Sequence, residues 1–175
     1  IIVLQDRLRS GGTERQSILL ANAFAAAGHA TMLLTFRPGG TLAPTVSAAV
    51  KLRALQPFDS GFDWWTPGLL RALQYQRPDI VLCMGRMANC YAGRIQLNLP
   101  AVAVVATMRT GKPLPGPFQR SLQSVRHVIA NSRDAADRLV AEHGVPAEKI
   151  TVVHNSLVFP PESAHPRNDE LRTVL

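Results

Sequence analysis

Ile1-Ile2-Val3-Leu4-Gln5-Asp6-Arg7-Leu8-Arg9-Ser10-Gly11-Gly12-Thr13-Glu14-Arg15 opens the chain. Four apolar residues give way to a polar stretch, then to two glycines, and then to an alanine-rich apolar segment. That order reads as strand, glycine turn, helix. In an open parallel α/β sheet such a turn sets backbone N–H groups and the positive end of a helix at the carboxyl edge of the sheet, where anions bind. Gly11 and Gly12 let backbone approach a ligand with no Cβ in between. The spacing is not the three-glycine dinucleotide fingerprint, and no Gly-Lys-Ser/Thr follows to make a P-loop.

The same alternation continues. Residues 13–27 are apolar nearly all round, which predicts a largely buried helix closed by Gly28. Ala30 to Phe36 is a continuous apolar strand of the parallel-sheet kind. Residues 41–48 are ambiguous, and Val50 to Leu55 alternates like an edge strand. Gln56 to Thr66 is a loop with Phe58, Phe62, Trp64 and Trp65. The expectation is that it plugs these rings into the core; exposed, they would suit a lipid interface or sugar stacking. Pro67 is placed to start a helix. Further strands are read at 80–84, 101–106, 127–130 and 150–153, with helices near 87–97, 119–124 and 133–143. Ser132 caps the last helix and Gly144 closes it. The reading is a Rossmann-like three-layer α/β domain over residues 1–155, with a mostly parallel sheet of about seven strands. Residues 156–169, with Pro160, Pro161 and Pro166, read as a linker, and Leu171 to Leu175 as the start of another domain. The chain is expected to be part of a longer protein.

The 175 residues are 46 % hydrophobic, enough for one core, and carry a net charge of +7. That excess of cations, mostly arginine, favours an anionic partner such as nucleic acid, an acidic membrane surface or a phosphorylated substrate. Cys83 and Cys90 have no further ligand-spaced partners, so no metal site or disulfide framework is expected and a reducing, cytoplasmic setting fits. No apolar run approaches the roughly 18 residues of a membrane span. Membrane contact, if made, would be peripheral, at the inner face of the cytoplasmic membrane.

By the right-handed crossover rule the polar turns at 5–13, 85–86, 107–112 and 154–155 gather at one sheet edge. Gly11, Gly12, Arg86, Arg109 and Asn155 are therefore candidates for one cleft. Arg109 and Lys112, beside Thr107, Thr110 and Gly111, have the chemistry to bind phosphate. Glu14, in the first helical turn, is read as a dipole partner. No nucleophile–base pair emerges, so catalytic residues are not assigned.

Three runs together resemble a known family: Gly11-Gly12-Thr13-Glu14-Arg15 after the first strand, Arg77-Pro78-Asp79-Ile80-Val81 into the fourth, and Val128 to Asn155 with Asn131-Ser132, Gly144-Val145-Pro146 and Lys149-Ile150 in order. They look like the amino-terminal domain of family-4-like retaining glycosyltransferases of the GT-B fold. The resemblance covers nearly the whole chain. It implies an acceptor-binding domain whose glycine turn, Gly11, Gly12, Thr13 and Arg15, lies against the donor diphosphate. Arg86, Arg109, Lys112 and Asn155, the candidates from the sheet-edge argument, would then serve as acceptor or phosphate contacts. The enzyme would move a sugar from a nucleotide diphosphate donor, a co-substrate rather than a cofactor, to a glycan or lipid-linked acceptor of cell-envelope polysaccharide or lipopolysaccharide synthesis. Most nucleotide-sugar contacts and an acidic pair would lie in a second domain, so this fragment alone would be inactive. Two departures stand out. The family's usual histidine after the fifth strand is matched here by Arg109. The usual Asn-Gly-Val-Asp run at the hinge is Asn155-Ser156-Leu157-Val158. The alternatives are a nucleotide-sugar epimerase of the same architecture, which needs an acid and a base in the cleft, and a non-catalytic basic module for membrane or nucleic acid. The cations are scattered and no nucleic-acid motif is present, which argues against a nucleic-acid partner.

Overall fold

The structure, a computed structural model, describes residues 1–109 and 111–155. Thr110, the proposed linker and the strand expected at 171–175 lie outside the described residues. Seven strands form one sheet: β1 (Ile2–Gln5), β2 (Met32–Thr35), β3 (Lys51–Ala54), β4 (Ile80–Cys83), β5 (Ala103–Met108), β6 (His127–Ala130) and β7 (Ile150–Val152). Their order is β3-β2-β1-β4-β5-β6-β7, and every pairing is parallel. The register sets Val3 beside Leu33 on one side and Leu82 on the other. Five helices connect the strands: α1 (Gly12–Ala26), α2 (Leu69–Gln76), α3 (Arg86–Asn98), α4 (Gly116–Ser124) and α5 (Arg133–His143).

Strand alternation divides the core in two. Ile2 and Leu4 of β1 face the larger cluster, covered by α2, α3, α4 and α5 through Leu73, Ile95, Leu122 and Leu139. Val3 faces the smaller one, where Ile18 and Ala21 of α1 pack with Leu33 and Leu82. This is the three-layer arrangement. α3 and α4 pack closely at Gly93, where a Cβ would come 2.8 Å from the Cα of Ser121. Gly40, at φ +119°, lies against the carbonyl of Leu8, a place only glycine fits.

Several local readings are borne out. Gly28 and Gly144 end α1 and α5 with φ of +86° and +60°. The Ser132 hydroxyl accepts the Ala135 N–H at 3.1 Å. β3 is the edge strand, its residues Lys51 to Arg53 exposed. The ambiguous stretch contains a 3-10 turn at Ala43–Thr45.

Others need correction. α1 buries one face only: Ser17, Ile18 and Ala21 are buried, while Ala23 and Ala26 are exposed. Alanine reads as apolar in a sequence, but its methyl group loses little by facing water. Pro67 precedes α2 without starting it, because Gly68, left-handed at φ +67°, intervenes as the cap. α4 begins earlier than expected, at Gly116, with Pro117 in its first turn. The aromatic loop does not plug into the core: Phe58, Trp64 and Phe62 are 63, 60 and 55 % exposed, and Trp65 is half-buried.

Candidate functional site

The strand order reverses direction between β1 and β4. Connections from β1 run outward to β2 and β3, and those from β4 run the other way, so a crevice opens above the two carboxyl ends. A cleft of about 360 Å³ lies there. Its walls are the turn after β1 (Asp6, Arg7, Arg9, Thr13, Glu14), the start of α3 (Gly85, Arg86, Asn89) and the end of β5 with the loop beyond (Thr107, Arg109, Lys112).

Asp6 organises the floor. Its carboxylate accepts the Met87 N–H at 3.0 Å and the Ala88 N–H at 2.8 Å. Those amides are orphan donors of the first turn of α3, so a residue 81 positions away acts as its cap. Gly85 makes the approach possible, since a Cβ there would collide with the side chains of Asp6 and Gln5. Gln5 accepts the Asp6 N–H at 2.7 Å and donates to Ser17 at 2.9 Å, tying the turn to α1. Burial pushes the Asp6 pKa from 3.8 up to about 6, against the pull of the two amide bonds and with help from the charges of Asp63 and Glu14.

Asn89 links α3 to β5. It donates to the Gly85 carbonyl at 2.8 Å and accepts the Thr107 N–H at 2.9 Å, while the Thr107 hydroxyl donates to the Cys83 carbonyl at 2.8 Å. Two residues on, Arg109 leans over the cleft and donates from Nη1 to Asn155 Oδ1. Its Nε is buried without a partner among the described residues, and burial lowers its pKa.

The loop that brings Asp63 to the cleft is held by ions. Arg37, buried, donates to Asp59 at 2.7 Å and to Asp63 at 2.8 Å, and also to the Gly61 carbonyl. Arg7 pairs with Asp59 at 3.0 Å and Arg9 with Asp63 at 3.2 Å. These bonds fix the aromatic loop beside the cleft and occupy both aspartates. Arg86, Arg109 and Lys112 line the same cleft as Asp6 and Glu14, and guanidinium and ammonium groups are the side chains that bind phosphate oxygens.

The sequence-predicted residues divide. Thr13, Arg86, Arg109 and Lys112 line the cleft, and Asn155 reaches it through Arg109. Gly11 caps α1 from just outside, while Gly12 and Arg15 are exposed at its start and are not among the lining residues. The Glu14 carboxylate folds back over Gly11 into the space a Cβ would take. Glu14 therefore sits at the proposed anion site itself and is more than a dipole partner of α1. Sequence reasoning missed Asp6, Asn89 and Phe118. Asp6 carried a signal, a carboxylate directly after a strand at the ligand edge; Asn89 and Phe118 arrive from helices with no local motif. Among the described residues no cluster of His, Cys, Asp and Glu could hold a metal ion, and no helix is long and apolar enough to cross a membrane.

Comparisons with known proteins agree with this geometry. No curated protein sequence matches the chain. Three solved structures superpose well. A glycosyltransferase from Rickettsia africae ESF-5 gives a TM-score of 0.63 at 18 % identity, over 89 % of this chain and 43 % of that one. Anabaena Alr3699/HepE, solved in complex with UDP, gives 0.65 at 17 % identity, over 89 % and 44 %. The lipopolysaccharide outer core galactosyltransferase WaaB, in its apo form, gives 0.65 at 16 % identity, over 94 % and 49 %. The chain thus spans less than half the length of each. The profile of Glycosyltransferase Family 4 matches residues 10–157, which include the glycine turn, Arg86, Arg109 and Asn155. The chain belongs to Glycosyltransferase Family 4 and has the fold of the amino-terminal domain of GT-B glycosyltransferases.

Proposed function

We propose that this domain is the acceptor-binding half of a retaining glycosyltransferase of the hexosyltransferase type. Its donor is a nucleotide diphosphate sugar and its acceptor a glycan or lipid-linked molecule of cell-envelope polysaccharide synthesis. The enzyme works in the cytoplasm, at the inner membrane face. The observation that carries this reading is the cleft at the strand-order reversal, with Arg86, Arg109 and Lys112 opposite the start of α1. Two complexes of the Anabaena protein, with UDP and with UDP and glucose, support a nucleotide-sugar donor. The printed name of WaaB supports an envelope glycan as acceptor.

In a same-face displacement the acceptor hydroxyl attacks the anomeric carbon as the diphosphate departs from that face, and the leaving oxygen takes the proton. No enzymic nucleophile is needed. The demand is for positive charge where the departing diphosphate develops negative charge, and Arg109 and Lys112 supply it in the cleft. For phosphate to approach the start of α1, the Glu14 carboxylate must swing away from Gly11. The epimerase alternative needs a free acid and base in the cleft. Asp6 is engaged by two backbone amides, and the family match favours transfer.

Gly12→Val in the full-length enzyme is the test. A Cβ at Gly12 meets nothing within 4 Å, so the fold should survive. Release of UDP from UDP-glucose or UDP-galactose in the presence of acceptor should be abolished. Wild-type turnover in that variant counts against the glycine turn as a ligand contact. NMR of the product, showing an inverted anomeric centre, would exclude retention.

A further inference from the structure

The ladder between β4 and β5 stops where the cleft begins. Its register runs from Ile80 beside Ala103 to Cys83 beside Ala106. The Ala103 N–H donates to the Asp79 carbonyl. Two-residue spacing along a parallel pair would next give the Thr107 N–H to the Cys83 carbonyl. Two side-chain bonds replace that one. The Thr107 N–H turns to Asn89 Oδ1 at 2.9 Å, and the Cys83 carbonyl accepts the Thr107 hydroxyl at 2.8 Å. Both main-chain groups stay satisfied, so the strands can part at no cost in lost hydrogen bonds. Met84 and Thr107, the next residues of the two strands, line the cleft. Asn89 is itself anchored, because its Nδ2 donates to the carbonyl of Gly85, the residue that caps α3.

We propose that Asn89 is a positioning residue for the donor diphosphate, setting the gap between Arg86 at the start of α3 and Arg109 beyond the end of β5. Asn89 borders the cleft, but it is 1 % exposed and both polar atoms of its side chain are engaged within the protein. It therefore acts through the two walls it joins. Arg86 lies three residues before it, in the first turn of the same helix. Arg109 lies two residues beyond the N–H that Asn89 holds. A diphosphate has two phosphoryl groups to share between the two arginines, and a monophosphate reaches one. Without Asn89 the Thr107 N–H returns to the Cys83 carbonyl, β5 pairs one step further along β4, and the arginines lose their spacing. The inference rests on the diphosphate reading above and names what gives the cleft a preference for two phosphates over one.

The experiment is isothermal titration of the full-length protein with UDP and with UMP; pyrophosphate against phosphate repeats the comparison without a nucleoside. Asn89→Leu, close to isosteric, removes both side-chain bonds. It should weaken UDP roughly ten-fold, the worth of one hydrogen bond, and UMP by less than about two-fold. Thr107→Val frees the Cys83 carbonyl, which then competes with Asn89 for the same N–H. It should weaken UDP by roughly three-fold, again with UMP little changed. This second variant decides the matter where Asn89→Leu does not fold. A merely structural Asn89 lowers the binding stoichiometry and leaves the ratio of UDP to UMP affinity alone. A ratio unchanged in the folded variants, or equal weakening of both nucleotides, therefore overturns the positioning role and leaves the transferase reading standing. Wild-type protein that binds neither UDP nor pyrophosphate refutes the diphosphate reading itself, and the positioning role with it.

Discussion

Replacing Asp6 by Asn tests whether a half-buried carboxylate holds the cleft floor. In the folded protein the Asp6 pKa is about 6 against an ordinary 3.8. A folded pKa above the unfolded one means the folded state binds more protons between the two values. The contribution of Asp6 is therefore fully present below about 3.8 and is lost as pH rises through about 6. A rise of roughly two pKa units corresponds to about 3 kcal/mol. Asn removes the charge but can accept only one of the two amides, and the orphaned N–H costs about 1–3 kcal/mol. The variant should be the less stable protein at pH 4 and should match or exceed wild type at pH 7. The difference between the two should move by roughly 2.4 kcal/mol across that interval, the rest of the change lying below pH 4. Denaturant unfolding followed by far-UV circular dichroism at a series of pH values measures it. Taking the difference removes every other carboxylate, since both proteins share them. A difference that stays flat from pH 4 to pH 7 would refute the reasoning, because Asp6 would then be solvated and not packed against α3.

Gly85→Ala places a methyl group against Asp6 and Gln5; it should cost about 1–3 kcal/mol in the same unfolding assay, as overpacking does. Arg37→Met removes the hub that holds Asp59 and Asp63. Hydrogen exchange at the Gly61 and Phe62 amides should accelerate, with protection of the central strands unchanged. Ser132→Ala removes the side-chain cap of α5. Its expected cost is about 1 kcal/mol, read as a lower denaturation midpoint.

Much of this was legible in the chain. The alternation of strand-like runs with helical segments identified each described strand: the central strands, buried on both faces, are apolar throughout, and the edge strand β3 alternates polar with apolar. Gly28, Ser132 and Gly144 marked helix ends through chemistry local to one turn. The site was only half legible. Arg86, Arg109 and Lys112 could be placed because each follows a strand at the ligand edge. Asp6 meets the amides of Met87 and Ala88 across 81 residues, and no window of sequence contains that contact.

The aromatic loop shows the same limit. By sequence alone its four rings belonged in the core. Arg37, Asp59 and Asp63 anchor it by ion pairs instead and leave three rings in water. What the sequence determined by itself was the order of strands and helices and the sheet edge where the polar turns gather into a cleft, since hydrophobic period, capping and crossover handedness act locally or by topology. Only the tertiary structure decided which charges neutralise one another and which remain free. Burial and pairing depend on neighbours brought together by folding, and they set which of the many basic side chains line the cleft and which pair with carboxylates.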